Sequence, residues 1–136
     1  DPFIIARQDH MISVNTALEM DLTGQICSES IGAVQWSGTG GASDFAFGAL
    51  HSKGGRGIIA FSSTAKGGTI SRIKVTLTPG AAVSISRNLA DTIVTEYGVA
   101  ELRGRSVRER ADALIAIAHP NFREELREGA RKLGYL

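Results

Sequence analysis

The sequence is poor in the features that define several protein classes. It has one cysteine, Cys27, in 136 residues. That excludes an intrachain disulfide framework and a CxxC metal site. No apolar run approaches the roughly 20 residues of a membrane-spanning helix. Aromatic residues make up 6%, which gives base stacking little support. Lys and Arg number 15 against 14 Asp and Glu, a net charge of +1. So even a balance argues against a dominant nucleic-acid or polybasic membrane surface. His10, His51 and His119 lack metal-ligand spacing, and no metal is expected. There is no internal repeat, no low-complexity tract and no signal-peptide pattern.

What is present suits a globular domain. Hydrophobic residues make up 43% and charged residues 21%, in a chain long enough to bury a core. The chain opens Asp1-Pro2-Phe3-Ile4-Ile5, apolar at once and without Met. A natural domain can begin so, and so can the cut end of a longer protein. Composition shifts near Glu96, from Gly, Ser, Thr, Ile and Val to Ala, Arg, Glu and Leu.

The first part reads as short strands and glycine loops. Residues 11–19 predict a half-buried strand with Ile12, Val14 and Leu18 on its apolar face. Residues 57–62 suit a buried strand. Residues 71–78 alternate, with Ile73, Val75 and Leu77 on one face, and Pro79-Gly80 ends them. Residues 83–86 and 92–95 read as two further strands. Ser43 is expected to cap a helix from Asp44 that buries Phe45, Ala46, Ala49 and Leu50. Ser106 and Glu109 form a capping box for a helix that stops near His119, before Pro120. A second capping signature, at residues 121–124, opens a last helix with the stripe Phe122, Leu126, Ala130 and Leu133, and Gly134 stops it. Strands followed by helices indicate an α/β domain.

Two glycine loops are candidates for chemistry. Gly38-Thr39-Gly40-Gly41 precedes a helix N-terminus, where free N–H groups and the helix dipole favour an anion or oxyanion. The same residues also suit a plain strand-to-helix turn, and the Walker Gly-Lys-Ser/Thr is missing. Lys66-Gly67-Gly68-Thr69 offers a cation for a phosphate, or a solvated hairpin loop. Asn15 on its strand needs a partner or a cleft. Glu96 follows a strand end, where open α/β sheets place sites, and also suits a cap on the turn at Tyr97-Gly98. His119 suits capping of a helix C-terminus. Cys27 reads as a buried, inert thiol. Arg103, Arg105, Arg108 and Arg110, interleaved with Glu101, Glu109 and Asp112, read as a solvated or interface helix face.

Several blocks together resemble one family. They are Ser13-Val14-Asn15, Asp21-Leu22-Thr23-Gly24-Gln25, the stretch from Gly38 to Phe45, and Ser63-Thr64-Ala65-Lys66-Gly67-Gly68-Thr69-Ile70-Ser71. Val94-Thr95-Glu96-Tyr97-Gly98, Ala100-Glu101-Leu102-Arg103-Gly104 and Arg108-Glu109-Arg110-Ala111 follow. In this order the chain resembles the acetyl-CoA hydrolase/CoA-transferase group, which includes acetate, succinate and 4-hydroxybutyrate CoA-transferases. Each block is weak alone; seven in order are specific.

The resemblance implies an α/β fold: an open three-layer CoA-transferase-like sheet with flanking helices. Residues 1–136 would be the C-terminal portion of that domain, with the upstream half absent. It implies transfer of CoA between an acyl-CoA and a small carboxylate, or thioester hydrolysis, through a glutamyl-CoA thioester. Coenzyme A is then a substrate. A homo-oligomer is expected, cytoplasmic or, in a eukaryote, mitochondrial. Gly41, with Gly40 and Gly38, would serve the oxyanion or acyl carboxylate; Asn15 would position the acyl group. Lys66 and Gly67 would lie near CoA, and Glu96 would support the site without attacking. The nucleophilic glutamate belongs to a segment before the Ser13-Val14-Asn15 block, and neither Glu19 nor Glu29 occupies its motif. Phe47 departs from the Arg often found after Asp-Phe-Ala. Phe3, Ile4 and Ile5 are expected to pack against the missing half.

Overall fold

The structure, a computed structural model, describes residues 1–136. The chain begins with a short helix α1 (Pro2–Ala6), then β1 (Ile12–Asn15) and β2 (Glu19–Asp21). Next come β3 (Ile26–Cys27), β4 (Ser30–Ile31), β5 (Val34–Gln35) and helix α2 (Ala42–His51). Strands β6 (Arg56–Ala60), β7 (Thr64–Ala65), β8 (Ile70–Ser71) and β9 (Ile73–Lys74) follow. The hairpin of β10 (Thr92–Thr95) and β11 (Gly98–Glu101) leads into α3 (Val107–Ile117) and α4 (Arg123–Lys132).

The main sheet has the order β1-β6-β10-β11. Its first three strands are parallel and β11 runs antiparallel. Alternation assigns the faces. Ser13, Ile59, Ile93, Thr95 and Ala100 share one face and are all buried. Helix α2 packs on β1 and β6, and α3 on β10 and β11. The opposite face is uncovered: Ile12, Val14 and Val99 are 53%, 63% and 59% exposed.

This reverses the sequence expectation for residues 11–19. The strand stops at Asn15, and Ser13 rather than Ile12 and Val14 points into the core. A period of two says which residues share a face, but not which face is covered.

A second sheet, β3-β2-β9, carries a dense apolar cluster. Met20, Leu22, Ile26, Ile73 and Ile85 in it have no exposed surface. Only residues 73 and 74 of the expected strand 71–78 pair with it. The reason is the buried Glu19 carboxylate, which draws the chain out of the sheet to collect its donors. Lys74 Nζ lies 2.6 Å away, and Thr78 donates from its amide at 2.7 Å and its hydroxyl at 2.8 Å. The expected strand at 83–86 is reduced to one bridge between Ile26 and Ile85.

The helical end follows its signals in α3 and departs from them at the start of α4. Ser106 and Glu109 make the reciprocal capping box. Helix α3 stops at Ala118, before His119-Pro120. His119 does not close α3, however. Its Nδ1 accepts the Asn121 amide at 3.2 Å and caps a 3₁₀ turn at Pro120–Phe122. The α4 N-cap is therefore Phe122, without a side-chain bond, and Asn121 does not cap. Leu126 and Ala130 are buried, while Leu133 of the expected stripe is half exposed.

Two blocks read separately in the sequence meet here. The Asp21 carboxylate accepts from the Thr23 amide and hydroxyl and from the Gln25 amide and side chain. Arg110 Nη1 donates to the carbonyls of Thr23 and Arg87. Burial of this guanidinium lowers its pKa from the usual arginine value. Arg110 is thus a tie beneath the fold and not part of a solvated charge stripe.

Candidate functional site

The parallel strands set the polarity of the site. Helix α2 has ten residues, about 15 Å long, and its C-terminal end joins β6 through residues 52–55. Its N-terminus is therefore carried to the carboxyl end of the parallel sheet. Asn15 ends β1 and Glu96 follows β10, so both lie at that same end.

Gly41, not Ser43, is the N-cap of α2, and no side chain caps the helix. The first-turn N–H groups keep their capacity for an outside acceptor. Residues 33–41 form a wholly exposed stretch. Gly40 has a φ of +61°, which glycine adopts without strain. Gly38 and Gly41 lie outside the left-handed region. A side chain at Gly38 would meet nothing within 4 Å, and one at Gly41 only the Phe45 ring at an ordinary 3.6 Å. Neither backbone nor internal packing requires glycine at these two positions.

Phe45, expected in the core, is 41% exposed. It lines a hollow of about 260 Å³ with Met11, Ile12, Ser13, Val14 and Asn15. It thereby joins the first turn of α2 to the end of β1. The half-buried Asn15 donates its amide to Ser13 Oγ at 3.0 Å. Phe47 turns to the other side, stacking on His51 at 4.1 Å and meeting Phe3 edge-on at 5.9 Å.

Glu96 ties two strand ends together. Its Oε1 accepts the Ser63 amide at 2.7 Å, just beyond β6. Burial raises its pKa, but hydrogen bonding from Ser63 outweighs that and holds the carboxyl below the usual glutamate value. The Ser63 hydroxyl adds to this pull without a well-aligned bond; it is buried and otherwise unpartnered. Sequence reading missed this partnership. Its only trace was the two residues' presence in separate family-like blocks.

Lys66 and Gly67 lie in the four-residue loop of the β7–β8 hairpin and are exposed. Lys66 forms no ion pair and borders a groove of about 380 Å³ with Leu18, Ile31, Ile70 and Arg72. The structure therefore gathers Gly38, Gly40, Gly41, Asn15 and Glu96 at one end, and places Lys66 and Gly67 on the hairpin that follows Ser63. No group of three or more His, Cys, Asp or Glu side chains has metal-holding geometry. No helix is long and apolar enough to cross a membrane.

The sheet is mainly parallel, and the uncapped α2 N-terminus and the Ser63-bound Glu96 carboxylate stand at its strand ends. Comparison with known proteins assigns the family. The chain belongs to the acetyl-CoA hydrolase/transferase C-terminal domain family, whose model matches residues 1–130. Over 132 residues it is 55% identical to succinyl-CoA:cyclohexane-1-carboxylate CoA transferase of Geobacter metallireducens, covering 97% of this chain and 30% of that protein. It is 54% identical to 4-hydroxybutyrate coenzyme A transferase of Clostridium kluyveri, covering 97% of this chain and 31% of that protein. The crystal structure of RipA from Yersinia pestis superposes on all of this chain with a TM-score of 0.91 at 46% identity. The chain covers 30% of RipA and spans about the same share of the two curated relatives.

Proposed function

We propose that this chain is part of a CoA-transferase that moves CoA between an acyl-CoA and a small carboxylate. The proposal adopts the glutamyl-CoA route. A glutamate carboxylate attacks the thioester carbonyl, and the tetrahedral oxyanion collapses to an acyl-glutamyl anhydride with release of CoA thiolate. The thiolate then attacks the glutamyl carbonyl, displaces the carboxylate product and leaves a glutamyl-CoA thioester. The acceptor carboxylate runs the same steps in reverse. Each attack divides one difficult exchange into easier ones, and each oxyanion needs fixed donors.

In this reading the Gly41 amide and the first turn of α2 receive the oxyanion, with Gly38 and Gly40 keeping the approach open. Asn15 orients the acyl group. Glu96 is a positioning residue. Lys66 and Gly67 flank the CoA phosphates across their groove. The nucleophile comes from outside residues 1–136. Glu19 is committed to Lys74 and Thr78, Glu29 is buried, and Glu96 is held by Ser63. The family resemblance puts the nucleophile in a segment before Ser13-Val14-Asn15, so in this reading residues 1–136 alone do not turn over. The complete enzyme is a cytoplasmic homo-oligomer that includes an upstream portion.

One observation carries the reading: α2 begins at Gly41 with no side-chain cap, in an exposed stretch at the strand ends, so its first-turn amides stand open to an outside acceptor. In this reading that acceptor is the oxyanion of the incoming acyl group. The test is CoA exchange between acetyl-CoA and succinate or acetate by the full-length enzyme carrying this sequence, with and without Gly41→Val. Near-normal exchange by the variant removes the loop from the mechanism. Turnover by residues 1–136 alone removes the outside nucleophile. Thioester cleavage that needs no acceptor carboxylate would make the enzyme an acetyl-CoA hydrolase. Binding of CoA by residues 1–136 in calorimetry, with no exchange by the full-length enzyme, would make it a non-catalytic CoA-binding module.

A further inference from the structure

Two buried side-chain polar atoms in the chain lack a hydrogen-bond partner, and one of them is Ser63 Oγ. Ser63 has no exposed surface. A buried hydroxyl without a partner is unfavourable, so each instance calls for a cause. The backbone of the same residue is fully engaged. Its amide donates to Glu96 Oε1 at 2.7 Å, and its carbonyl accepts the Arg72 amide at 2.8 Å.

Those two bonds put Ser63 at a junction. On one side stands Glu96, whose backbone is pinned by its neighbour. Thr95 Oγ1 donates to the Ile117 carbonyl in α3 at 2.6 Å and accepts the Tyr97 amide at 3.1 Å. On the other side the β7–β8 hairpin leaves from Ser63 and returns at Arg72. Arg72 braces its base: Nε donates to the Thr64 carbonyl and Nη1 to the Ala17 carbonyl, both at 3.2 Å. Lys66 is three residues from Ser63, at most about 11 Å of chain. A single bond between Ser63 and Glu96 lets the hairpin base pivot about it. The Glu96 side chain is exposed, and a carboxylate has lone pairs for several donors, so it has room to turn and accept a second. The Ser63 hydroxyl already lies near enough to help hold the Glu96 pKa down, though it is not aligned.

We propose that Ser63 is a positioning residue for CoA: when CoA occupies the groove beside Lys66, the Ser63 hydroxyl donates to the Glu96 carboxylate alongside the Ser63 amide, and this two-point link fixes the hairpin that carries Lys66 and Gly67. The unpaired hydroxyl of the free protein is the open half of that link. Ser63 itself is buried and touches no ligand; it acts by removing the pivot. Glu96 then works through Ser63 on the CoA side of the reaction. The inference rests on the reading given above, in which Lys66 and Gly67 flank the CoA phosphates.

Calorimetry of CoA binding and exchange kinetics test it on the full-length enzyme carrying this sequence. Ser63→Ala is expected to weaken CoA binding, and to raise KM for acetyl-CoA, by about 10-fold, the usual worth of a hydrogen bond to a charged group, with kcat within about 2-fold. In a Glu96→Ala background the same change should add less than about 2-fold, because the hydroxyl has lost its acceptor. The urea midpoint of the enzyme without CoA should stay the same or rise, since the variant removes an unpartnered buried group. An unchanged CoA affinity overturns the proposal. So do a loss confined to kcat, a full loss that persists beside Glu96→Ala, and a lowered urea midpoint, which makes the hydroxyl a plain structural donor. Normal CoA binding and exchange by Ser63→Ala sinks this inference alone. CoA binding without exchange by the unmodified enzyme sinks the reaction assigned above, and the affinity comparison still decides the role of Ser63.

Discussion

Two turns of this molecule share a Thr-Gly pair, at residues 23–24 and 39–40, and differ in how the fold encloses them. The turn at residues 21–25 is closed by its own hydrogen bonds. The Asp21 carboxylate accepts four donors, and Arg110 enters from below. Gly24 has a φ of +100°, and a side chain there would come within 2.7 Å of Arg110 Nη1. In residues 38–41 nothing is enclosed. Glycine in the first turn makes room for a group the chain itself supplies; in the second the space beside it opens to solvent. The contrast separates a glycine that the fold requires from one to which the proposed function gives a ligand.

Substitutions in the two turns sharpen the contrast, and the largest effect is expected at the open one. Gly41→Val in the full-length enzyme keeps the amide but blocks approach to it, and should lower the CoA-exchange rate by about 100-fold or more, as when an oxyanion donor is lost. The stability of residues 1–136, measured by urea unfolding, should fall by no more than about 1 kcal/mol, the cost of valine in place of a glycine N-cap. A comparable loss of stability would make the open turn structural after all.

The closed turn should respond in the opposite way. Gly24→Val combines left-handed strain with a clash at Arg110 and should destabilise residues 1–136 by about 2 kcal/mol or more in the same unfolding assay. A neutral result would show that Arg110 can leave its carbonyls without cost.

Glu96→Ala should reduce exchange by less than Gly41→Val, because Glu96 acts through its hold on the Ser63 amide. Glu96→Gln, which can still accept that bond, should recover part of the loss. Equal losses at positions 41 and 96 would mean that Glu96 touches the reacting atoms.

A smaller effect concerns pH. Glu19 has a folded pKa below the ordinary 4.5: burial raises it, but Lys74 and Thr78 together outweigh that. A depressed carboxylate stabilises the fold fully above its unfolded pKa. That contribution is lost as pH falls through the folded value. Urea midpoints should therefore decline below about pH 4.5, and Glu19→Gln should flatten the part of the decline due to this group. An unchanged slope would move the acid sensitivity to another carboxylate.

How much of this was legible before folding differs between elements. The capping box at Ser106 and Glu109, the stop before Pro120 and strand β10 are short-range features, and each stands where the residues place it. The exposed loop at Lys66 and Gly67 likewise follows from local glycine chemistry. Long-range partners were not legible. Alternation in 71–78 suggested a strand, but Glu19 drew residue 78 away through bonds spanning 59 positions. Ser43 had the right chemistry for a cap, yet the helix began two residues after Gly40 turned the chain. His119 and Phe45 also had suitable chemistry, and the neighbouring turn and the end of β1 decided their roles.

The sequence by itself determined the class of this protein. Ordered family-like blocks, paired charge and one inert cysteine sufficed, because those depend on residue type and spacing. Only the tertiary structure decided which face of the sheet is covered and which glycines fit the fold's own needs. Only it placed Asn15, Gly41 and Glu96 at one end of the strands. Those facts depend on what stands opposite each residue in space, and no period along one chain contains that information.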